Sequence, residues 1–206
     1  MDSTEDKKLR RVLKPDEAKR MLQVAKETAP EHIYRAIVIA MLTGLRQSHI
    51  MDLKFGDLNL VGGILWIPKH RFMANSNRDF IIPINSQLMA FLRTTWTGNP
   101  EEPVIGKKVK DLNAAYKAVA IRAGFERDFT FANLRYSYLV WLHEGGLSIN
   151  NTMYVLLGKY IPEFGMRMCG GQPTMEQLRA TIETLPKLFP HEPKLVDSKG
   201  APEAVC

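Results

Sequence analysis

Residues 41–53 read MLTGLRQSHIMDL, and the fold turns on this stretch. The run before it, AIVIAML (residues 36–42), is apolar nearly all round, as in a helix buried on every side. Thr43-Gly44-Leu45 interrupts that pattern, and a glycine in this place is a helix stop signal. Arg46 follows at once, and the apolar pattern resumes at Ile50, Met51 and Leu53. A charge at a break between two buried segments needs a surface to emerge at and an anion to hold.

Upstream of the break the spacing predicts two helices. The first runs from Pro15 to about Thr28. Proline suits its first turn, Asp16 and Glu17 suit its positive end, and Ala18, Met21, Leu22 and Ala25 form its apolar stripe. The second, about Glu31 to Leu42, is the central buried helix. Downstream, a short helix turns Ile50, Met51 and Leu53 inward, and then the period changes. FGDLNLVGG (55–63) reads as a strand and a turn. GGILWIPKH (62–70) and RDFIIPI (78–84) read as strands joined by the polar RFMANSN. The expected result is a three-stranded antiparallel sheet with Pro68 and Pro83 near strand ends or edges.

Helices then return. Ser86 is read as the cap of a helix over about 87–97, followed by the loop NPEEPVIGKK. Further helices are expected over 111–123, 131–144 and 150–157, closed by Gly124, Gly145-Gly146 and Gly158. After a loop of about 160–172, Thr174 caps a last helix to about Thr184. The expected fold class is α+β, mainly α-helical. One domain spans 13–185, between a polar N-terminal tail (1–12) and a flexible, Pro-rich C-terminal tail (186–206).

The chain has 206 residues, 45% of them hydrophobic, which suits one globular core with short tails. Net charge is +6 and the pI is about 9.3. The last 16 residues hold two lysines against three acids, so the part before them is +7. A basic excess of this size fits either a polyanionic partner, nucleic acid being the commonest, or an ordinary basic surface. The two cysteines, Cys169 and Cys206, lack metal-ligand spacing and suggest a reducing compartment. The start, MDSTEDKKLRR, is not a signal peptide, and no apolar run approaches the roughly 20 residues of a membrane span. A soluble, cytoplasmic protein is expected.

A second arginine repeats the puzzle of the first. In FANLRYSYLVWLHEGG (131–146), Phe131, Arg135, Tyr138 and Leu142 fall within about 60° of one another on a helical wheel. Leu134 and Leu139 flank them, so Arg135 lies in the middle of the apolar face. Three readings stay open. It forms a buried salt bridge to an acid such as Asp52 or Asp57, it snorkels to water, or it joins Arg46 in a cleft and binds an external anion. Phosphate suits the last, because a guanidinium fork matches its oxygens.

In this order the features resemble the catalytic domain of tyrosine recombinases, the phage integrase family. LKPDEAKRMLQVAKETAPEHIYRAIVIAMLTGLRQSHIMDLKFGDLNL resembles its opening helices and Thr-Gly-Leu-Arg break. ILWIPKHRFMANSNRDFIIPI resembles its hairpin. FTFANLRYSYLVWLHEGGLSINNTMYVLLGKY resembles the stretch written His-x-x-Arg, then an apolar helix, a glycine and Leu-Gly-His. The likeness covers about residues 13–184. It implies chemistry on a DNA phosphodiester without metal or cofactor. A tyrosine attacks the phosphate, two arginines and a His or Lys stabilise the transition state, and a hairpin lysine protonates the leaving oxygen.

Carried over by position, Arg46 and Arg135 match the two arginines, and Lys159 stands at the Leu-Gly-His histidine. The remaining positions depart from the family. Ala132 stands where His-x-x-Arg begins, and His49 replaces the acid usual three places after the first arginine. The hairpin lysine position falls near Asn75 or Met73, with Lys69 several residues early. The nucleophile belongs in IPEFGMRMCGGQ, near Met168 and Cys169, and no tyrosine follows Tyr160. Only about 12 residues precede the domain, where active members usually carry a DNA-clamping domain. The resemblance therefore implies a catalytically degenerate DNA-binding regulator or accessory factor of a mobile element. Arg46, Arg135 and Lys159, helped by Lys69, Arg71 and Arg78, would neutralise backbone phosphate. Its expected partners are double-stranded DNA and either a second copy of itself or a full-length recombinase. The alternatives are an active recombinase using Tyr160 or a partner's tyrosine, and an interaction module or inert remnant whose residues 174–184 mediate assembly. Cys169 as a thiol nucleophile is the weakest candidate, because the family uses a phenol.

Overall fold

The computed structural model describes residues 11–68, 79–107, 109, 111–148 and 174–189. Helix α1 (Pro15–Thr28) begins at proline, and Glu17 accepts a hydrogen bond from the Lys14 backbone N–H at 3.0 Å. Its stripe of Ala18, Met21, Leu22 and Ala25 is buried against α2 (Glu31–Thr43). In α2 every residue from Ala36 to Thr43 is buried. α5 (Leu112–Arg122) and α6 (Phe131–Glu144) complete its cover, so α2 is the axis of the helical layer, as its all-round apolar sequence predicts.

The chain entering α1 is fastened to α6. The Leu13 backbone N–H donates to Ser137 Oγ at 2.8 Å, and Trp141 Nε1 donates to the Leu13 carbonyl at 3.1 Å. Asn133 Nδ2 donates to the Arg11 carbonyl at 2.9 Å, so packing already starts within the expected polar tail. These polar groups are matched inside an apolar setting, where leaving them unpaired would be costly.

After α3 (Gln47–Asp52) and a 3-10 turn (Phe55–Asp57) comes the sheet: β1 (Leu58–Asn59), β2 (Ile64–Ile67) and β3 (Phe80–Pro83). It is antiparallel in the order β1-β2-β3, with Leu58 opposite Leu65, and Trp66 opposite Ile81. Leu65, Ile67 and Ile82 face the core. Trp66 and Ile81 stand on the outer face, and Trp66 Nε1 donates to Asp79 Oδ2 at 3.0 Å.

Helix α4 (Ser86–Thr95) departs from expectation at its start. Asn85, not Ser86, is the cap, accepting from the Leu88 N–H at 2.8 Å. Ser86 instead receives the last helix, α7 (Met175–Glu183). Its N–H and its hydroxyl each donate to the Glu183 carboxylate at 2.7 Å. Thr174 caps α7 as predicted. Leu178 and Ile182 bury the apolar face of α7 within its own chain.

Packing also continues past residue 185, where the flexible tail was expected to begin. Gln87 grips the backbone on both sides of Lys187, donating to the Pro186 carbonyl at 3.1 Å and accepting from the Leu188 N–H at 2.7 Å. Leu188 is buried, and Phe189 stacks on Phe91 with ring centroids 6.1 Å apart. A Pro-rich composition hid two apolar anchors.

Candidate nucleic-acid interface

The break after α2 is built by three consecutive residues. Thr43 turns its hydroxyl back onto the helix, donating to the Ile39 carbonyl at 2.6 Å and accepting from the Leu45 N–H at 3.2 Å. Gly44 takes the left-handed conformation (φ 62°, ψ 16°), which a side chain would strain. Leu45 is buried and pins the connection to the core. Arg46 is the N-cap residue of α3, with extended backbone (φ −71°, ψ 151°), and its side chain is exposed. It makes no hydrogen bond or ion pair with another described residue.

Arg135, in the second turn of α6, reaches this break from the other side. Its Nη1 donates to the Gly44 carbonyl at 2.6 Å. That carbonyl lies at the C-terminal end of α2, where unmatched oxygens and the helix dipole favour a cation. Arg135 is half-buried, and burial is the main cause that lowers its pKa, to about 10. The positive charge of Arg46 lowers it further, while Tyr136 and Tyr138 pull it back up. Two guanidinium groups therefore meet at one break, one exposed and one anchored, and the charge of the first raises the cost of charging the second.

Asp57 is buried and accepts from the Lys54 N–H at 2.8 Å, closing the 3-10 turn. Asp52 is exposed at the end of α3. His49, at the position where an acid is usual, is buried in α3 one turn from Arg46. Ala132 lies in the first turn of α6, one turn before Arg135, and carries no group that could transfer a proton. Lys69, Arg71, Arg78, Asn75 and Met73 on the hairpin lie outside the described residues. So do Lys159, Tyr160, Met168 and Cys169.

Sequence reasoning missed the Gly44 carbonyl as the anchor of Arg135. A backbone acceptor leaves no mark in residue type, and only the glycine stop signal hinted at an exposed helix end there. Among the described residues no helix is long and apolar enough to cross a membrane.

Comparison with known proteins matches residues 11–157 to the model of the phage integrase family. The integrase of Salmonella phage P22 is 25% identical over 204 residues, covering 91% of this chain and 47% of that protein. The chain thus spans about half the length of that relative. Among solved structures, the integrase from mycobacterium phage Brujita superposes with a TM-score of 0.62 at 20% identity, covering 85% of this chain and 57% of the other. The lambda integrase catalytic core gives 0.54 at 20% identity, covering 72% of this chain and 95% of the core. A lambda integrase dimer bound to a COC' core site gives 0.55 at 20% identity, covering 72% and 58%.

Proposed function

The chain belongs to the phage integrase family, and from that premise we propose that it binds duplex DNA through the break at Arg46 and Arg135, without cutting it. One observation carries the reading: an exposed arginine with no described partner beside a half-buried arginine held on a backbone carbonyl. A backbone phosphate oxygen set between these two like charges would meet both forks of donors. With a pKa of about 10, Arg135 stays charged in ordinary buffers. The lambda integrase dimer bound to its core site lends the fold-level analogy, at an identity too low to transfer contacts.

The catalytic step is the part the chain does not supply. Ala132 cannot act as acid or base, and no tyrosine occurs in the stretch following Tyr160. The protein then occupies DNA as an accessory factor or competitor of a complete recombinase, in the cytoplasm where such DNA resides. In this reading Lys159, Lys69, Arg71 and Arg78 also neutralise backbone phosphate, and two copies of the chain can share a site.

The test is equilibrium binding of a fluorescent duplex at low salt, alongside a nicked suicide substrate. Binding above a neutral control protein, falling steeply with salt, is the expected result. Absence of duplex affinity overturns the DNA-binding reading. A covalent protein–DNA band that disappears in Tyr160→Phe overturns inactivity and establishes an active enzyme with a rearranged nucleophile.

A further inference from the structure

A second cationic feature lies at the other end of α2 from Arg46. A cleft of about 590 Å³ opens between α1, the first turn of α2 and the strap at 186–189. Its apolar floor is Leu22, Leu188 and the rings of Tyr34 and Phe189. Lys19, Arg20, Lys26 and Lys187 line it, all exposed, and among the described residues no acid does. The strap wall is fixed rather than loose, because Gln87 holds its backbone and Phe189 stacks on Phe91.

We propose that this cleft docks a short acidic peptide segment of a partner protein, with carboxylates meeting the lysines and an apolar side chain entering the floor. The placement of charge selects this ligand. Lys19, Gln23 and Lys26 follow one face of α1 over about 10 Å, with Lys187 on the facing wall. Charges spread along a wall suit several carboxylates in a row. A single compact anion would want converging donors. A duplex is a convex, highly charged cylinder and gains nothing from an apolar floor. Neighbouring acids only trim the field. Asp16 lies 3.5 Å from Lys19 in an exposed pair of little energetic weight, and Glu27 accepts from Gln23. Arg20 also rests over the Phe125 ring at 5.4 Å, which holds its head at the cleft edge. Tyr34 and Arg46 are separated by nearly the length of α2, about 20 Å, so a docked peptide leaves the arginine break open.

The test uses the full chain and a fluorescein-labelled peptide alternating Glu and Leu, read by anisotropy. Comparators are the Lys/Leu and Glu/Ser peptides and an unlabelled duplex. The Glu/Leu peptide binds best, and Lys26→Glu with Lys187→Glu weakens it at least about tenfold while duplex affinity stays unchanged. Lys26→Gln with Lys187→Gln gives a smaller loss in the same direction, and both variants keep the wild-type melting temperature because the side chains are exposed. Equal binding of Glu/Leu by wild type and the reversed variant overturns the proposal, as does equal binding of Glu/Ser. A parallel loss of duplex affinity, with duplex displacing the peptide, assigns the cleft to DNA and overturns it too.

Discussion

Arg46 and Arg135 differ in what holds them, and so in what their replacement costs. Arg46 is exposed and touches no described partner, so Arg46→Ala leaves thermal stability unchanged. It lowers duplex affinity by about tenfold and reduces the salt slope by about one phosphate contact, measured by anisotropy across a salt series. The pH dependence follows from Arg135. Its pKa is held down to about 10, so Arg135 is charged from about pH 6 to 8 and duplex affinity is flat there. As the pH rises through about 10, Arg135 loses its proton and affinity falls with it. A histidine-gated site would instead weaken already above about pH 6.5. Tyr116 gives a stability control, since it packs in the core on Phe131. Its hydroxyl is buried with no hydrogen-bond partner among the described residues, so Tyr116→Phe stabilises by up to about 1 kcal/mol in chemical denaturation.

At the scale of elements, the break is a device of backbone conformation. Gly44→Ala forces a side chain into left-handed space and costs about 1 kcal/mol, read from the denaturation midpoint. It also weakens duplex binding, because the carbonyl that anchors Arg135 belongs to the same residue. α1 and α6 have the bounds expected from sequence, since their caps and apolar stripes are local signals. The cap of α4 was misread because Asn85 and Ser86 are both good caps. A contact from Glu183, distant in sequence, decides between them. The wheel put Arg135 on the apolar face, and it is indeed half-buried there, but its acceptor is a main-chain oxygen that no side-chain pattern announces.

At the scale of the molecule, the order of helices, break, sheet and helices placed the chain in its family before any contact was known. Tertiary closure was less legible. Leu188 and Phe189 sit in a Pro-rich stretch that reads as tail, and only Gln87 and Phe91 turn it into a strap. The strap closes one side of the cationic cleft, while Arg46 and Arg135 lie at the far end of α2. The molecule thus presents two basic features along one helix, one suited to phosphate and one to carboxylates. A double-mutant cycle on duplex affinity, with Arg46→Ala and Arg135→Lys singly and together, tests the central claim that both arginines hold one phosphate. The account predicts that the double variant loses clearly less than the two single losses combined, because either change already spoils the shared contact. Fully additive losses, or no loss from either change, would contradict it.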